Sequence, residues 1–286
     1  MNITRRNLLK TASAGLAGAT VFSSWQALAA APAAGRIRIG SCAIGLKDGK
    51  QAGLDGVEVR VGNAADRLDI ADPAVRQKYK DDMKETGLVI SSLMMGLLNS
   101  NPLASDPRGP AWLEQSIDGA KDLGARVILV AFFGKGNLLD ENKQMKKADV
   151  DVVVSRLKAA APRAKDAGVI LAIENLLSAK QNVEILERIG HDSVQSYYDI
   201  YNLEGQGYDV PAEIRFLREK IVAIHFKNGK DYLDNGKVQY PPVVAAIQEI
   251  GYKGWITLET SSPSKNPVAD AKRNADYVKK LFGMAG

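Results

Sequence analysis

Four residues that can bind metals or transfer protons end four successive apolar runs in the second half of the chain. They are Glu174, Asp199, His225 and Glu259. Their separations of 25, 26 and 34 residues are each about one strand–helix unit. If the runs are parallel strands of a barrel, their carboxyl ends meet at the face where the active sites of such barrels lie. The spacing therefore predicts that the four side chains share one site.

Three carboxylates and one imidazole in a small site would repel one another or take up protons unless a cation joined them. Three oxygen donors and one nitrogen suit Mn²⁺, Mg²⁺ or Co²⁺, and Zn²⁺ also accepts such a set. The chain of 286 residues has one cysteine, Cys42, and only two histidines, His191 and His225. These counts exclude a cysteine-based zinc site and a histidine-rich cluster. We therefore expect one divalent metal ion, bound mainly by carboxylates.

The elements that would carry these residues follow from the alternation of apolar runs with amphipathic stretches, which is typical of parallel strands joined by helices. Strands are predicted at Ile37–Cys42, Gly56–Val61, Val89–Met94, Arg126–Ala131, Val169–Glu174, Ser193–Asp199, Ile221–Phe226 and Trp255–Thr260. Helices are predicted at Pro73–Thr86, Pro110–Leu123, Val150–Ala167, Val183–Ile189, Pro211–Glu219, Pro241–Ile250 and Val268–Phe282. Only about ten residues join the first two strands, so the first helix should be short or degenerate. The pattern predicts a single α/β domain over residues 36–283, a (β/α)₈ TIM barrel.

The motifs around the four residues resemble those of the xylose isomerase-like TIM-barrel superfamily. In order, they are Ile-Glu-Asn, Tyr-Tyr-Asp, Ile-His-Phe-Lys-Asn and Leu-Glu-Thr. Within the superfamily they are most similar to the sugar phosphate isomerase/epimerase family, and the resemblance covers about residues 36–283. It implies that Glu174, Asp199, His225 and Glu259 bind one divalent metal ion. It also implies that Glu174 and Glu259 exchange the substrate proton.

The chain departs from the family pattern at two positions. Many epimerases of the group have a histidine three residues after the metal-binding aspartate, where this chain has Asn202. A histidine common at an earlier strand end is also missing, because residues Met94 to Asn99 include none. Because of both departures, the motifs do not predict which sugar is the substrate. They also argue against the endonuclease IV branch, which needs several more histidines for its zinc cluster.

Four neighbouring residues are candidates for substrate binding. Lys227 lies two residues after His225, so strand alternation places it on the same side, where it could bind a substrate oxygen. Glu58 and Arg60 alternate with valines and should both face the barrel interior, either as a structural ion pair, which we favour, or as substrate contacts. Asn175 could equally brace the loop after its strand or contact a sugar.

These residues predict a metal-dependent isomerase or epimerase of a small carbohydrate with a keto group. The metal would bind the carbonyl and a neighbouring hydroxyl, and the two glutamates would remove and return a proton through a metal-held enediolate. Two alternatives remain. The same first step could end in elimination from a 3-keto-sugar or glycoside, as in a lyase or dehydratase. The chain could also be a non-catalytic sugar-binding barrel, although binding alone would not require two opposed carboxylates.

The first 31 residues have the three regions of a twin-arginine (Tat) export signal. Arg5 and Arg6 precede a short, weakly apolar stretch at residues 14–22, and Ala27-Leu28-Ala29 offers a cleavage site. The stretch is too short to span a bilayer. We therefore expect a periplasmic or otherwise extracytoplasmic protein, with the Tat machinery and a small carbohydrate as partners. Because this route carries folded proteins, the metal could be acquired in the cytoplasm, which favours Mn²⁺.

Removal of the signal would leave 35 basic against 33 acidic residues, a net charge of +2. This balance includes no basic tract large enough to bind a nucleic acid backbone. The full chain has 45% hydrophobic and 25% charged residues, a composition typical of a globular domain. No membrane span is expected in the mature chain, and a homo-oligomer is left open.

Overall fold

The computed structural model describes residues 36–284, and the twin-arginine segment lies outside this range. Eight parallel strands form a closed barrel in which each strand pairs with the next and β8 pairs with β1. The strands are β1 (Arg38–Ser41), β2 (Gly56–Arg60), β3 (Val89–Met95), β4 (Val127–Ala131), β5 (Ile170–Glu174), β6 (Val194–Asp199), β7 (Ile221–Phe226) and β8 (Trp255–Leu258). The predicted TIM barrel is confirmed.

The α-helices lie between the strands and after the last one. They are α1 (Leu46–Gln51), α2 (Pro73–Thr86), α3 (Gly109–Leu123), α4 (Lys147–Asp166), α5 (Ala179–Ile189), α6 (Ile200–Gly205), α7 (Val210–Leu217), α8 (Tyr240–Glu249) and α9 (Pro267–Leu281). The short first helix is confirmed, since α1 has six residues. Within the described part of the chain, no helix is long and apolar enough to cross a bilayer.

Helix α4 begins three residues before its predicted start without a side-chain cap, whereas side-chain caps explain the starts of α5 and α6. Helix α6 was not predicted. It begins directly after β6, where the Asp199 carboxylate accepts a hydrogen bond from the Asn202 backbone N–H. Helix α5 begins four residues before the predicted start, because Ser178 and Gln181 form a capping box. Hydrophobic periodicity carries no information about such caps, because the capping residues are polar.

The barrel separates two regions of packing. Most buried apolar side chains fill the layer between strands and helices, including Trp112 of α3 and Ile128 of β4. A smaller apolar cluster that contains Leu129, Ala172 and Tyr197 fills the barrel interior. The interior above this cluster is polar at the carboxyl ends of the strands. The fold thus provides a packed base beneath a polar mouth.

Two register shifts interrupt the regular pairing of the barrel. Between β2 and β3, Val57 is paired with Ile90 and Glu58 with Ser92, so Ser91 is skipped. Between β6 and β7, Ser196 is paired with Ile221 and Tyr197 with Ala223. Such bulges change the direction of side chains and are common beside active sites. Both shifts here precede residues of the polar mouth.

Candidate metal and acid–base site

The four strand-end residues meet in the structure, around the imidazole of His225. Its Nδ1 lies 3.0 Å from Glu174 Oε1, 3.4 Å from Glu259 Oε2 and 3.8 Å from Asp199 Oδ2. One ligand atom from each of the four residues falls in a group whose members are all within 4.8 Å of one another. The predicted convergence of these side chains is therefore observed.

Each residue is held by the end of a different strand. Glu174, Asp199 and His225 lie within the last two residues of β5, β6 and β7, and Glu259 follows β8 directly. The Glu259 backbone N–H donates to the Phe226 carbonyl at 3.1 Å, which continues the sheet pairing one residue past the strand. Barrel closure thus places four residues distant in sequence around one point.

The balance between burial and nearby charge shifts the pKa values of the two glutamates in opposite directions. Burial raises the pKa of Glu174, whose side chain is only 6% exposed, against the lowering effect of His225. Glu259 is a third exposed, and burial would also raise its pKa, but His225 and Lys227 outweigh that effect and lower the pKa to about 2. Two carboxyl groups whose environments separate their pKa values are suited to different roles in proton transfer.

Asp199 and His225 are buried more deeply. Burial, and then the charge of Glu174, raises the pKa of Asp199 well above its usual range. Burial would lower the pKa of His225, but the surrounding acidic groups, led by Tyr197 and Glu174, raise it well above its usual value. These directions describe a site with an excess of negative charge and too little solvent to screen it.

The donor set fits a divalent cation. Asp199 Oδ1 accepts the Asn202 N–H, whereas Asp199 Oδ2 is buried with no hydrogen-bond partner among the described residues. Nearly all buried polar atoms have a partner, so this oxygen is a candidate ligand atom. With His225 Nδ1 and one oxygen each from Glu174 and Glu259, it could complete a site of three oxygens and one nitrogen.

Lys227 lies at the same mouth, as the alternation predicts. Its Nζ is 3.1 Å from Glu259 Oε2, and its side chain is 25% exposed. The backbone on both sides of this residue is held by Tyr240, whose hydroxyl accepts from the Lys227 N–H at 2.9 Å and donates to the Lys227 carbonyl at 2.7 Å. Sequence reasoning missed Tyr240, because it lies 13 residues away at the start of α8.

The interpretation of Glu58 and Arg60 as an ion pair is wrong. Glu58 Oε1 instead lies 3.0 Å from His225 Nε2, and Glu58 Oε2 accepts from Ser92 Oγ at 2.7 Å. The Glu58 side chain has no exposed surface, so its alternative role as a substrate contact does not fit either. Arg60 is two residues nearer the mouth and is exposed to solvent. It remains a candidate for substrate binding.

Asn175 braces the loop after β5. Its amide group exchanges hydrogen bonds with Asn182 of α5 at 2.8 and 3.2 Å, and its oxygen accepts the Leu177 N–H at 2.9 Å. The side chain is buried, which supports the bracing interpretation over the predicted alternative of sugar contact.

Cys42 lies close to the site, with its sulfur among the atoms near Glu58 and His225. Burial raises the pKa of this thiol, which makes it a poor nucleophile. Sequence reasoning also missed Tyr197, whose ring centroid is 4.5 Å from that of His225. Its position two residues before Asp199 was the available signal, since alternation places it on the same interior face.

Comparison with known proteins agrees with this architecture. The chain matches the family described as xylose isomerase-like TIM barrel over residues 46–281. An Escherichia coli (strain K12) protein assigned as an L-ribulose-5-phosphate 3-epimerase is 25% identical over 263 residues, which cover 83% of this chain and 90% of that protein. An inosose dehydratase of Lacticaseibacillus casei is 24% identical over 193 residues, which cover 54% of this chain and 65% of that enzyme.

Among solved structures, that of an L-ribulose 3-epimerase superposes with a TM-score of 0.71 at 22% identity, covering 86% of this chain and 95% of that one. At this identity the similarity concerns the fold. The family match spans most of the chain, from α1 to the last residue of α9. The chain belongs to the xylose isomerase-like TIM barrel family.

Proposed function

We propose that this protein is a metal-dependent isomerase or epimerase that acts on a small carbohydrate with a keto group. The observation that carries the proposal is the position of Glu174 and Glu259. Their carboxylates lie 3.0 and 3.4 Å from the same nitrogen of His225, in a site whose remaining donors suit a divalent ion. The relatives named as sugar epimerases support the same class of reaction.

The ion would be held by Glu174, Asp199, His225 and Glu259, and we expect Mn²⁺, with Mg²⁺, Co²⁺ or Zn²⁺ as alternatives. When bound, it would polarise the substrate carbonyl and acidify the adjacent carbon. One of the two glutamates would take the proton from that carbon. The other would return a proton to the opposite face, for epimerisation, or to the neighbouring carbon, for aldose–ketose interconversion.

Other residues of the mouth would orient the substrate. Lys227 would donate a hydrogen bond to a substrate oxygen and at the same time keep Glu259 ionised, because its ammonium lies 3.1 Å from that carboxylate. Arg60, exposed at the end of β2, is available for a more distant part of the sugar.

A second candidate function is elimination of water. It is favoured by the similarity to an inosose dehydratase. The first step would be the same proton removal, and a leaving group on the next carbon would then depart. The residues of the site could serve either reaction, so identification of the product distinguishes a dehydratase from an isomerase or epimerase.

Solvent exchange tests this proposal. Purified protein would be incubated in ²H₂O with a panel of keto-sugars, and the exchange at each carbon followed by NMR. Exchange with a rearranged sugar indicates an isomerase or epimerase, exchange with loss of water a dehydratase, and binding without exchange a sugar-binding barrel.

Substitution of the two glutamates tests whether each of them acts as an acid or base in proton exchange. We expect Glu174→Gln and Glu259→Gln each to lower the exchange rate at least ~10²-fold, because each removes one of two acid–base groups. The matched control is Glu249→Gln, which changes a surface glutamate paired with Arg215. Metal content would be measured in every variant, so that loss of the ion is distinguished from loss of the base. Exchange within a few-fold of wild type, in either variant, would exclude that residue as an acid or base.

We also propose that residues 1–31 direct export through the twin-arginine pathway and that the barrel works in the periplasm. Support comes from the Arg5-Arg6 pair, the weakly apolar stretch that follows it and the small residues at Ala27 and Ala29. An exported enzyme would meet free or glycosidic sugars more often than phosphorylated ones.

A further inference from the structure

Among residues 36–284, Glu58 is the one carboxylate in contact with His225 that is not a proposed metal ligand. Its Oε1 lies 3.0 Å from His225 Nε2, on the opposite side of the imidazole from the Nδ1 that faces Glu174. Its Oε2 accepts a hydrogen bond from Ser92 Oγ at 2.7 Å. The Glu58 side chain has no exposed surface, so it is not itself accessible to a substrate.

The strand register and the packing of an aromatic ring position Glu58 and His225. The register shift between β2 and β3 brings Ser92, rather than Ser91, opposite Glu58. Ser91 Oγ lies 3.3 Å from Ser92 Oγ and makes no hydrogen bond to Glu58. On the other side, the Tyr197 ring packs against the imidazole with a centroid distance of 4.5 Å and an interplanar angle of 58°. The imidazole is therefore bounded by Glu58 and Tyr197.

We propose that Glu58 is a positioning residue that sets the tautomer and orientation of His225, with Ser92 holding Glu58 in place. The proposal rests on the metal site of the proposed function. In this arrangement His225 donates its Nε2–H to Glu58, which leaves Nδ1, on the side of Glu174, Asp199 and Glu259, to bind the ion.

The chemistry of the groups supports this assignment. A neutral imidazole carries its hydrogen on one nitrogen only, and an ionised carboxylate accepts hydrogen bonds but does not donate them. Carboxylates lie 3.0 Å from both ring nitrogens, but in the proposed site Glu174 binds the ion and only Glu58 is left to accept a hydrogen. Glu58 at Nε2 therefore selects the tautomer in which Nδ1 is free to bind the metal. It also makes Nδ1 a stronger metal ligand, because the nearby negative charge of Glu58 increases the basicity of the ring. Loss of such a partner lowers metal affinity about 10- to 100-fold in other metalloproteins.

The first test measures metal affinity. The dissociation constants of Mn²⁺ and Zn²⁺ would be determined by competition with a chelating dye. We expect Glu58→Leu to weaken binding about 10- to 100-fold. Glu58→Gln retains an oxygen that can accept the Nε2–H, so it should lose less affinity than Glu58→Leu. Ser92→Ala should weaken binding detectably, and Ser91→Ala is the matched control, because it removes a neighbouring buried hydroxyl that makes no hydrogen bond to Glu58.

The second test observes the hydrogen bond of the His225 Nε2–H, because an ion bound at Nδ1 by itself leaves the ring hydrogen on Nε2. The chain has two histidines, so a ¹⁵N-histidine spectrum of the Zn²⁺-loaded protein contains only two rings. His191 is the internal reference, since its Nδ1 lies 2.8 Å from Ser193 Oγ, away from the site. We expect the His225 Nε2–H proton to resonate downfield and to exchange slowly with solvent in wild type and in Glu58→Gln, because an oxygen accepts it, and to lose both features in Glu58→Leu.

The proposal is overturned if Glu58→Leu binds both ions within threefold of wild type and leaves the His225 Nε2–H resonance unchanged. If that variant does not fold, the decision rests on Glu58→Gln and Ser92→Ala. Both must bind the ions more weakly than Ser91→Ala, and equal affinities overturn the proposal. Failure of wild type to bind any ion would contradict the metal site itself. Tight binding without proton exchange on any sugar would contradict the proposed function but not the role of Glu58.

Discussion

Asp270 offers a quantitative test of how the mouth of the barrel is held together. This buried carboxylate in the first turn of α9 accepts four hydrogen bonds. Tyr232 Oη and Ser264 Oγ donate to Oδ1 at 2.7 and 2.6 Å, and Ser262 Oγ and the Ser264 N–H donate to Oδ2 at 2.6 and 3.1 Å. These donors lie in the loops after β7 and β8, so Asp270 joins the two loops that follow Lys227 and Glu259.

The magnitude follows from the pKa of Asp270. Burial would raise this pKa, but the hydrogen bonds from Ser262, Ser264 and Tyr232 outweigh burial and lower it to about 2, from an ordinary value of 3.8. Such a difference corresponds to about 2 kcal/mol of stability at pH 7, since one unit is worth about 1.4 kcal/mol. For a domain of this size, that is a fall in Tm of roughly 4–8 °C.

The expected change is loss of this stability in Asp270→Asn, because an amide cannot accept from all four donors. The folded-state pKa lies below the unfolded one. The contribution is therefore complete well above pH 3.8 and disappears as the pH falls toward 2. Thermal unfolding of both proteins would be measured at pH 7 and pH 3. The difference in unfolding free energy should fall from about 2 kcal/mol to about 1 kcal/mol.

The matched control is Asp276→Asn in the same helix. Asp276 is 49% exposed and pairs with Lys272 at 2.7 Å, so its loss should cost less than about 1 kcal/mol. If the two variants melt at the same temperature at pH 7, Asp270 does not hold the loops as described. If the Asp270→Asn difference is the same at both pH values, the charge of Asp270 is not its source.

Three further predictions concern metal, substrate and export. His225→Ala and Asp199→Ala should each lose most of the bound metal in elemental analysis, because each removes a donor, and wild-type occupancy in both would contradict the site. Lys227→Met should lower kcat/KM for proton exchange at least about tenfold, through loss of a charged hydrogen bond, with metal content retained; an unchanged rate would exclude its role in substrate binding. Replacement of Arg5 and Arg6 by lysine should retain the protein in the cytoplasm, as measured by cell fractionation, and continued export would argue against the twin-arginine route.

Much of the fold was determined by local sequence pattern. Each predicted strand overlaps an observed one, because a strand buried on both faces needs a run of apolar residues whatever its neighbours are. The four strand-end residues were predictable for the same reason. Once parallel strands are assigned, their carboxyl ends must lie at one face, so Glu174, Asp199, His225 and Glu259 could be expected to share a site.

Other features depended on which residues barrel closure brings together. Alternation predicted that Glu58 faces inward, but its partner His225 lies 167 residues away, and the chain offered a nearer partner in Arg60. The register shift that places Ser92 opposite Glu58 has no signature in the hydrophobic pattern, because Ser91 and Ser92 are identical residues. The start of α6 was missed because Asp199 both caps that helix and faces the site.

The sequence by itself thus determined the strands, their direction and the face on which chemistry occurs. Only the tertiary structure decided which interior side chains contact one another, including the pairing of Glu58 with His225 and of Asp270 with two separate loops. The physical reason is that burial is a property of each segment and leaves a periodic trace in its own residues. The pairing of polar groups instead depends on strand register and barrel closure, which distant segments set together.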